Sequence, residues 1–171
     1  MSVATALLVA AAGAQENEPV TDPGILAIFD QLDSLEIAVA RVGAERGQAE
    51  STRQLGAAIA RAQQATQTEG RELGRRLKIF NAPRANELGA YGQTLAKLQA
   101  VPEAEFDTAY LKQQMVIERN VVAALAQMSP LARNPELAGF LGQLRRQFEH
   151  QLAATSALIK DDRPAGGEMG R

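Results

Sequence analysis

The stretch Phe106–Met128, FDTAYLKQQMVIERNVVAALAQM, decides the fold. Phe106, Tyr110, Ile117, Val121, Leu125 and Met128 recur at helical spacing, so one face of a long helix is apolar. Three more stretches read the same way: Ile25–Val42, Leu55–Phe80 and Leu137–Ile159. Each stripe can be buried only against the others, which specifies an all-α, antiparallel four-helix bundle.

The bounds of these helices follow from their punctuation. Thr21-Asp22-Pro23 starts the first with an Asp cap and a proline whose missing N–H costs nothing there. Its stripe is Ile25, Ile28/Phe29, Leu32, Leu35, Val39 and Val42, and Arg46-Gly47 ends it. Ser51 is the expected cap of the second helix, whose face is Leu55, Ile59, Ala62, Thr66, Glu69/Gly70, Leu73, Leu77 and Phe80, a heptad seam. The few residues between these two helices make them an antiparallel hairpin. Asn81-Ala82-Pro83 breaks the chain, and Glu87–Ala100 is expected as a short extra helix across one end. Pro102, Glu103 and Glu105 suit the positive start of the third long helix, which Ser129-Pro130 stops. Asn134-Pro135-Glu136 starts the fourth, with its face at Leu137, Phe140/Leu141, Leu144, Phe148, Gln151/Leu152, Thr155 and Leu158. Several glycines (Gly43, Gly56, Gly70, Gly74, Gly142) lie inside helices, where close helix–helix approach would offset a cost of about 1 kcal/mol each.

The chain of 171 residues suits one domain with a real core. Hydrophobic residues are 46% and aromatics only 4%, a helix-forming composition with small-residue interfaces. Net charge is −2 with both signs interspersed, which gives no footprint for nucleic acid. The absence of cysteine excludes disulfides, zinc–thiolate sites and cysteine nucleophiles. Val3–Ala14 is uncharged and apolar, and Ala12-Gly13-Ala14 has the small-x-small form of a signal-peptidase site, although no Lys or Arg precedes it. The run is shorter than the roughly 20 residues that span a bilayer. Residues 1–14 are therefore expected to be signal-peptide-like, 15–21 a flexible N-terminus, 22–160 the bundle domain and 161–171 a Gly/Pro-rich disordered tail. The expected compartment is the periplasm or the exterior.

Phe106-Asp107-Thr108-Ala109-Tyr110-Leu111 resembles the FD-x-x-Y signature of the domain-of-unknown-function 4142 family. The resemblance runs over Ile25–Ile159 and includes the acid after leucine in Leu35-Glu36. It implies an exported bacterial protein with a ferritin-like helical bundle and no established activity. It also implies histidines at or near Thr66, at Glu118 and at Gln151, where this chain has none. The single histidine, His150, is one residue out of register, a rotation of about 100°.

A ferritin-type di-metal site needs inward glutamates and Glu-x-x-His motifs, and no Glu-x-x-His occurs. The remaining metal candidates are Glu36, Glu69, Glu118 and His150, one per helix, which together would hold a single divalent ion. Asp107 and Tyr110 are expected to serve the helix start and packing. Gln63, Gln64, Thr66, Gln67 and Thr68, with Gln113, Gln114 and Gln151, are expected to form a buried polar network. Arg71, Arg75 and Arg76, with Lys78, Arg145 and Arg146, form basic patches that suit either solvent or an anionic surface. No phosphate loop, nucleophile elbow or metalloprotease motif is present in the sequence. The leading expectation is a non-enzymatic structural or interaction protein of the cell envelope without a cofactor, with a protein partner or a second copy of itself. The alternative is a bundle that binds a divalent metal or small ligand through inward Glu/His residues.

Overall fold

The computed structural model describes residues 20–79 and 88–161. The signal-like segment, the break at Asn81-Ala82-Pro83 and nearly all of the C-terminal tail lie outside them. The described residues are all-α, with five α-helices and no strand. They are α1 (Asp22–Arg46), α2 (Glu50–Arg76), α3 (Leu88–Gln99), α4 (Glu103–Met128) and α5 (Pro135–Asp161), with a 3-10 turn at Ser129–Leu131. The short α3 falls within one residue of the expected Glu87–Ala100.

Chain reversals shorter than a helical turn or two create the two principal pairings. Gly47–Ala49 folds α2 back on α1, and residues 129–134 fold α5 back on α4. The hairpins meet through α1 against α4 and α2 against α5, while α3 touches α1 and α4. A main core results, with Ile25, Phe29, Leu32, Phe106, Leu125, Leu137, Leu141 and Phe148 among its sealed side chains, beside a small cluster of Ala40, Ile59 and Ala60 between α1 and α2. Burial of an apolar side chain of this size contributes about 1.5–3 kcal/mol, so these stripes supply the main driving force for assembly.

Two helix caps differ from the expectation. Thr21, not Asp22, caps α1: its Oγ1 accepts from Gly24 N at 3.3 Å. Asp22 instead accepts from the backbone N–H groups of Arg133 (2.8 Å) and Asn134 (2.9 Å), fastening the turn before α5 to the start of α1. Ser51 lies already inside α2, and no side chain of α2's own N-cap residue satisfies the exposed amides. The predicted cap of α5 is present, with Asn134 Oδ1 accepting from Glu136 N at 2.8 Å.

The first helix is buried more widely than its stripe foretells. Leu26, Ala27, Asp33, Glu36, Ile37 and Ala40 are buried in addition, because α1 has neighbours on three sides. In α2 the heptad alternative resolves to Gly70, which faces Phe140, while Glu69 is exposed. Gly56 marks a close approach of the α1 and α2 backbones: a Cβ there would lie 2.5 Å from Ala44 N and 2.6 Å from Ala40 O. Gly142 is different, since a Cβ there meets only Arg146 at 3.9 Å, so close helix approach does not account for it.

Candidate functional site

The FD-x-x-Y segment is a structural joint. Phe106 is fully buried and stacks on Tyr110, with ring centroids 6.0 Å apart and planes 9° from parallel. Arg46 lies over the Phe106 ring, 4.5 Å from its centroid. Its guanidinium also donates to Leu98 O (2.7 Å), Gln99 O (2.8 Å) and Val101 O (2.7 Å), carbonyls at and just past the end of α3. Asp107 accepts from Gln48 N (2.8 Å) and Ala49 N (2.7 Å), and so provides from α4 the cap that α2 lacks. One short motif thus orders α1, α2, α3 and α4 around a single point.

One to two turns deeper lies a layer of polar side chains between the long helices. Gln114 Nε2 donates to Glu36 Oε2 at 2.8 Å and to Glu118 Oε1 at 3.3 Å. Thr155 Oγ1 donates to the same Glu118 oxygen at 2.9 Å. Gln63 Nε2 donates to Gln151 Oε1 (3.0 Å), and Thr66 Oγ1 to Gln147 Oε1 (3.1 Å). Glu36, Gln63, Gln114, Glu118 and Thr155 have no exposed surface. The helical spacing accounts for this convergence: Gln114 and Glu118 are four apart on α4, as are Gln151 and Thr155 on α5.

The layer is unusual in what it leaves unpaired. Glu36 Oε1, Gln63 Oε1, Gln114 Oε1, Glu118 Oε2 and the Tyr110 hydroxyl are buried without a hydrogen-bond partner. Burial raises the Glu36 carboxyl to about 8, against the Gln114 hydrogen bond and with the Glu118 and Asp33 carboxyls adding to the rise. Burial likewise takes Glu118 to about 7, against its bonds from Thr155 and Gln114. Tyr110 is pushed above its usual range by burial and by the nearby Glu36 and Glu118 carboxyls. A third buried acid, Asp33, reaches about 8 through burial and the charge of Asp30, partly offset by Arg71. It borders a niche of about 10 Å³ with Phe29, Gln67 and Phe140, room for one water molecule.

The structure therefore brings together two of the four metal candidates. Glu36 and Glu118 share an amide, whereas Glu69 and His150 are exposed. The seam turns Gly70 inward in place of Glu69, and Gln151 inward in place of His150. Among the described residues, no group of three or more histidine, cysteine or acidic side chains is placed to hold a metal. The glutamine network is present in part, since Gln64 and Thr68 face solvent and Gln67 bonds Ser34 Oγ at 2.7 Å. Gln147 was not foreseen, although it precedes Gln151 by one helical turn. In the basic patch, Arg71 pairs with Asp30 at 2.6 Å and Arg76 with Glu136 at 2.9 Å, so acids from α1 and α5 offset part of its charge. Among the described residues no helix is long and apolar enough to cross a membrane.

Comparison with known proteins agrees with this architecture. The crystal structure of a DUF305 fragment from Deinococcus radiodurans is similar with a TM-score of 0.72 and 15% identity, over 84% of this chain and 99% of that one. At that identity the likeness concerns the fold alone. No curated protein matches the sequence. The model of the domain of unknown function (DUF4142) matches residues 7–158, nearly the whole chain and the FD-x-x-Y joint within it, and the chain belongs to that family.

Proposed function

We propose that this chain is a non-enzymatic structural or interaction protein of the cell envelope, built as a ferritin-like four-helix bundle with α3 across one end. One observation carries the reading: the carboxyls and the tyrosine of the polar layer, whose pKa values are shifted, are sealed. Catalytic acids and bases have shifted pKa values in clefts that substrate can enter. Here Glu36, Glu118 and Tyr110 have the shifts but no exposed surface. Packing and helix capping use the remaining parts of the family motif. The envelope assignment draws on the apolar Val3–Ala14 run with its small-x-small end.

The alternative metal or small-ligand site made of Glu36, Glu69, Glu118 and His150 draws no support from the arrangement, since two of its members face solvent. Two measurements test the leading reading. The full chain carrying a C-terminal tag is expected to resist protease in intact cells and to be cut in spheroplasts of a host with an outer membrane; retention in the cytoplasm overturns the envelope role. Native-state hydrogen exchange is expected to show the α4 amides near Gln114 and Glu118 opening only with global unfolding. Fast exchange there would reveal an interior open to substrates.

A further inference from the structure

The two hairpins grip each other at both ends through ionised acids. Asp107 of the second hairpin accepts from the Gln48 and Ala49 amides in the turn of the first. Asp22 of the first accepts from the Arg133 and Asn134 amides in the turn of the second. Between these clasps the polar layer uses a different chemistry. Glu36 on α1 and Glu118 on α4 belong to different hairpins, have no exposed surface and accept from one nitrogen, Gln114 Nε2. That shared donor keeps the two bonded oxygens within about 6 Å, where like charges in a poorly polarisable interior repel strongly.

Nothing that packs on the pair offers a countercharge. The other titratable neighbours are Asp33 from α1 and Tyr110 from α4, and neither can carry positive charge. From α2 and α5 the layer receives the neutral Gln63, Thr66, Gln147, Gln151 and Thr155. Among the described side chains of α3 only Thr94 and Leu98 are buried, and no Lys, Arg or His is among the buried residues. The unpartnered oxygens of the layer's acids and amides are Glu36 Oε1, Glu118 Oε2, Gln63 Oε1 and Gln114 Oε1, acceptors only while the acids are ionised. A proton on each carboxyl makes two of these four oxygens donors, which equalises donors and acceptors. Burial accordingly raises both carboxyls, Glu36 to about 8 and Glu118 to about 7.

We propose that the polar layer is a proton-operated latch between the hairpins. Neutral Glu36 and Glu118 close the seam, and loss of their protons opens it to water while Asp22 and Asp107 hold the ends. An ionised pair meets no cation in the core, so hydration is its relief, and water reaches it only when α1 and α4 move apart. The opening is local and reversible, because each hairpin keeps its own pairing. While the protons are in place the interior stays closed, as the exchange measurement above expects. The latch does not depend on where the protein resides.

The chain contains no cysteine, so introduced thiols can be spin-labelled without background. Gln64, Arg119 and His150 are exposed and adjoin the layer residues Gln63, Glu118 and Gln151. The pair Gln64→Cys/Arg119→Cys reads the distance between hairpins, and Arg119→Cys/His150→Cys reads the distance within one. From pH 6 to pH 9 the first distance is expected to lengthen by at least about 3 Å, the width of one water layer, and to recover at pH 6. The second is expected to stay constant. Adding Glu36→Gln/Glu118→Gln, which keeps side-chain volume and removes both charges, should hold the first distance constant as well. A wild-type distance between hairpins that does not change overturns the latch. So does lengthening of both pairs together, which is global unfolding, or equal lengthening in the Glu36→Gln/Glu118→Gln background. The two wild-type pairs decide the matter even if the charge-free variant does not fold.

Discussion

Tyr110 is the residue on which most of the architecture converges. Its ring lies between Phe106 and the backbone of α1, and that position exists because residue 43 is glycine. A Cβ at Gly43 would lie 2.2 Å from Tyr110 Cζ and 2.6 Å from the hydroxyl. The ring has no freedom to retreat, since Phe106 stacks on it and Arg46 covers Phe106 in turn. Gly43→Ala should therefore destabilise the fold by about 2 kcal/mol, measured as a lower urea midpoint, even though alanine is the better helix former. The hydroxyl behaves in the opposite way. It is buried without a partner beside two acids, so Tyr110→Phe should raise stability by about 1 kcal/mol. A loss of similar size would mean that the hydroxyl donates to one of those carboxyls.

At the scale of helices, the main lesson is that some joints are local in sequence and others are not. The apolar stripes of α4 and α5 were legible because core position follows directly from spacing, and Asn134-Pro135 marked the α5 start correctly. The cap of α2 was not legible: Ser51 is near in sequence, but the group that caps α2 is Asp107, more than fifty residues away on α4. Local propensity holds no information about a partner delivered by tertiary packing. The same limit hid the burial of Asp33, because the sequence shows one stripe on α1 but not how many helices surround it, whereas Glu36 was legible as an inward acid. Gln114 and Gln151 were recognisable as members of a polar network, whereas the outward turn of His150 depended on a one-residue register that only the packed helices fix. The role of Asp107 is directly testable. Asp107→Ala should cost about 2 kcal/mol by thermal denaturation and should speed amide exchange in the first turn of α2 before that of α4. Equal exchange at both ends would place Asp107 in packing and not in capping.

For the molecule as a whole, three buried acids make stability a function of pH. The ordinary values are 3.8 for Asp33 and 4.5 for Glu36 and Glu118, and folding raises them to about 8, about 8 and about 7. An acid raised on folding holds its proton in the native chain at a pH where the unfolded chain has released it. The native state then binds more protons than the unfolded state, so stability falls as pH rises. The window opens near the ordinary carboxylate values and closes near pH 8, where the folded groups also ionise. Below the window both states are protonated and these groups contribute no slope. The protein should therefore be more stable at pH 5 than at pH 8. This is the reverse of the acid sensitivity produced by surface ion pairs such as Arg71–Asp30. Denaturant midpoints across that range measure the slope, and Glu36→Gln/Glu118→Gln should flatten it to what Asp33 alone contributes. A wild-type midpoint that is constant or rises with pH would mean that the carboxyls are already ionised in the core. An interior holding two such anions without a cation would be inconsistent with the cost of burying unpaired charge.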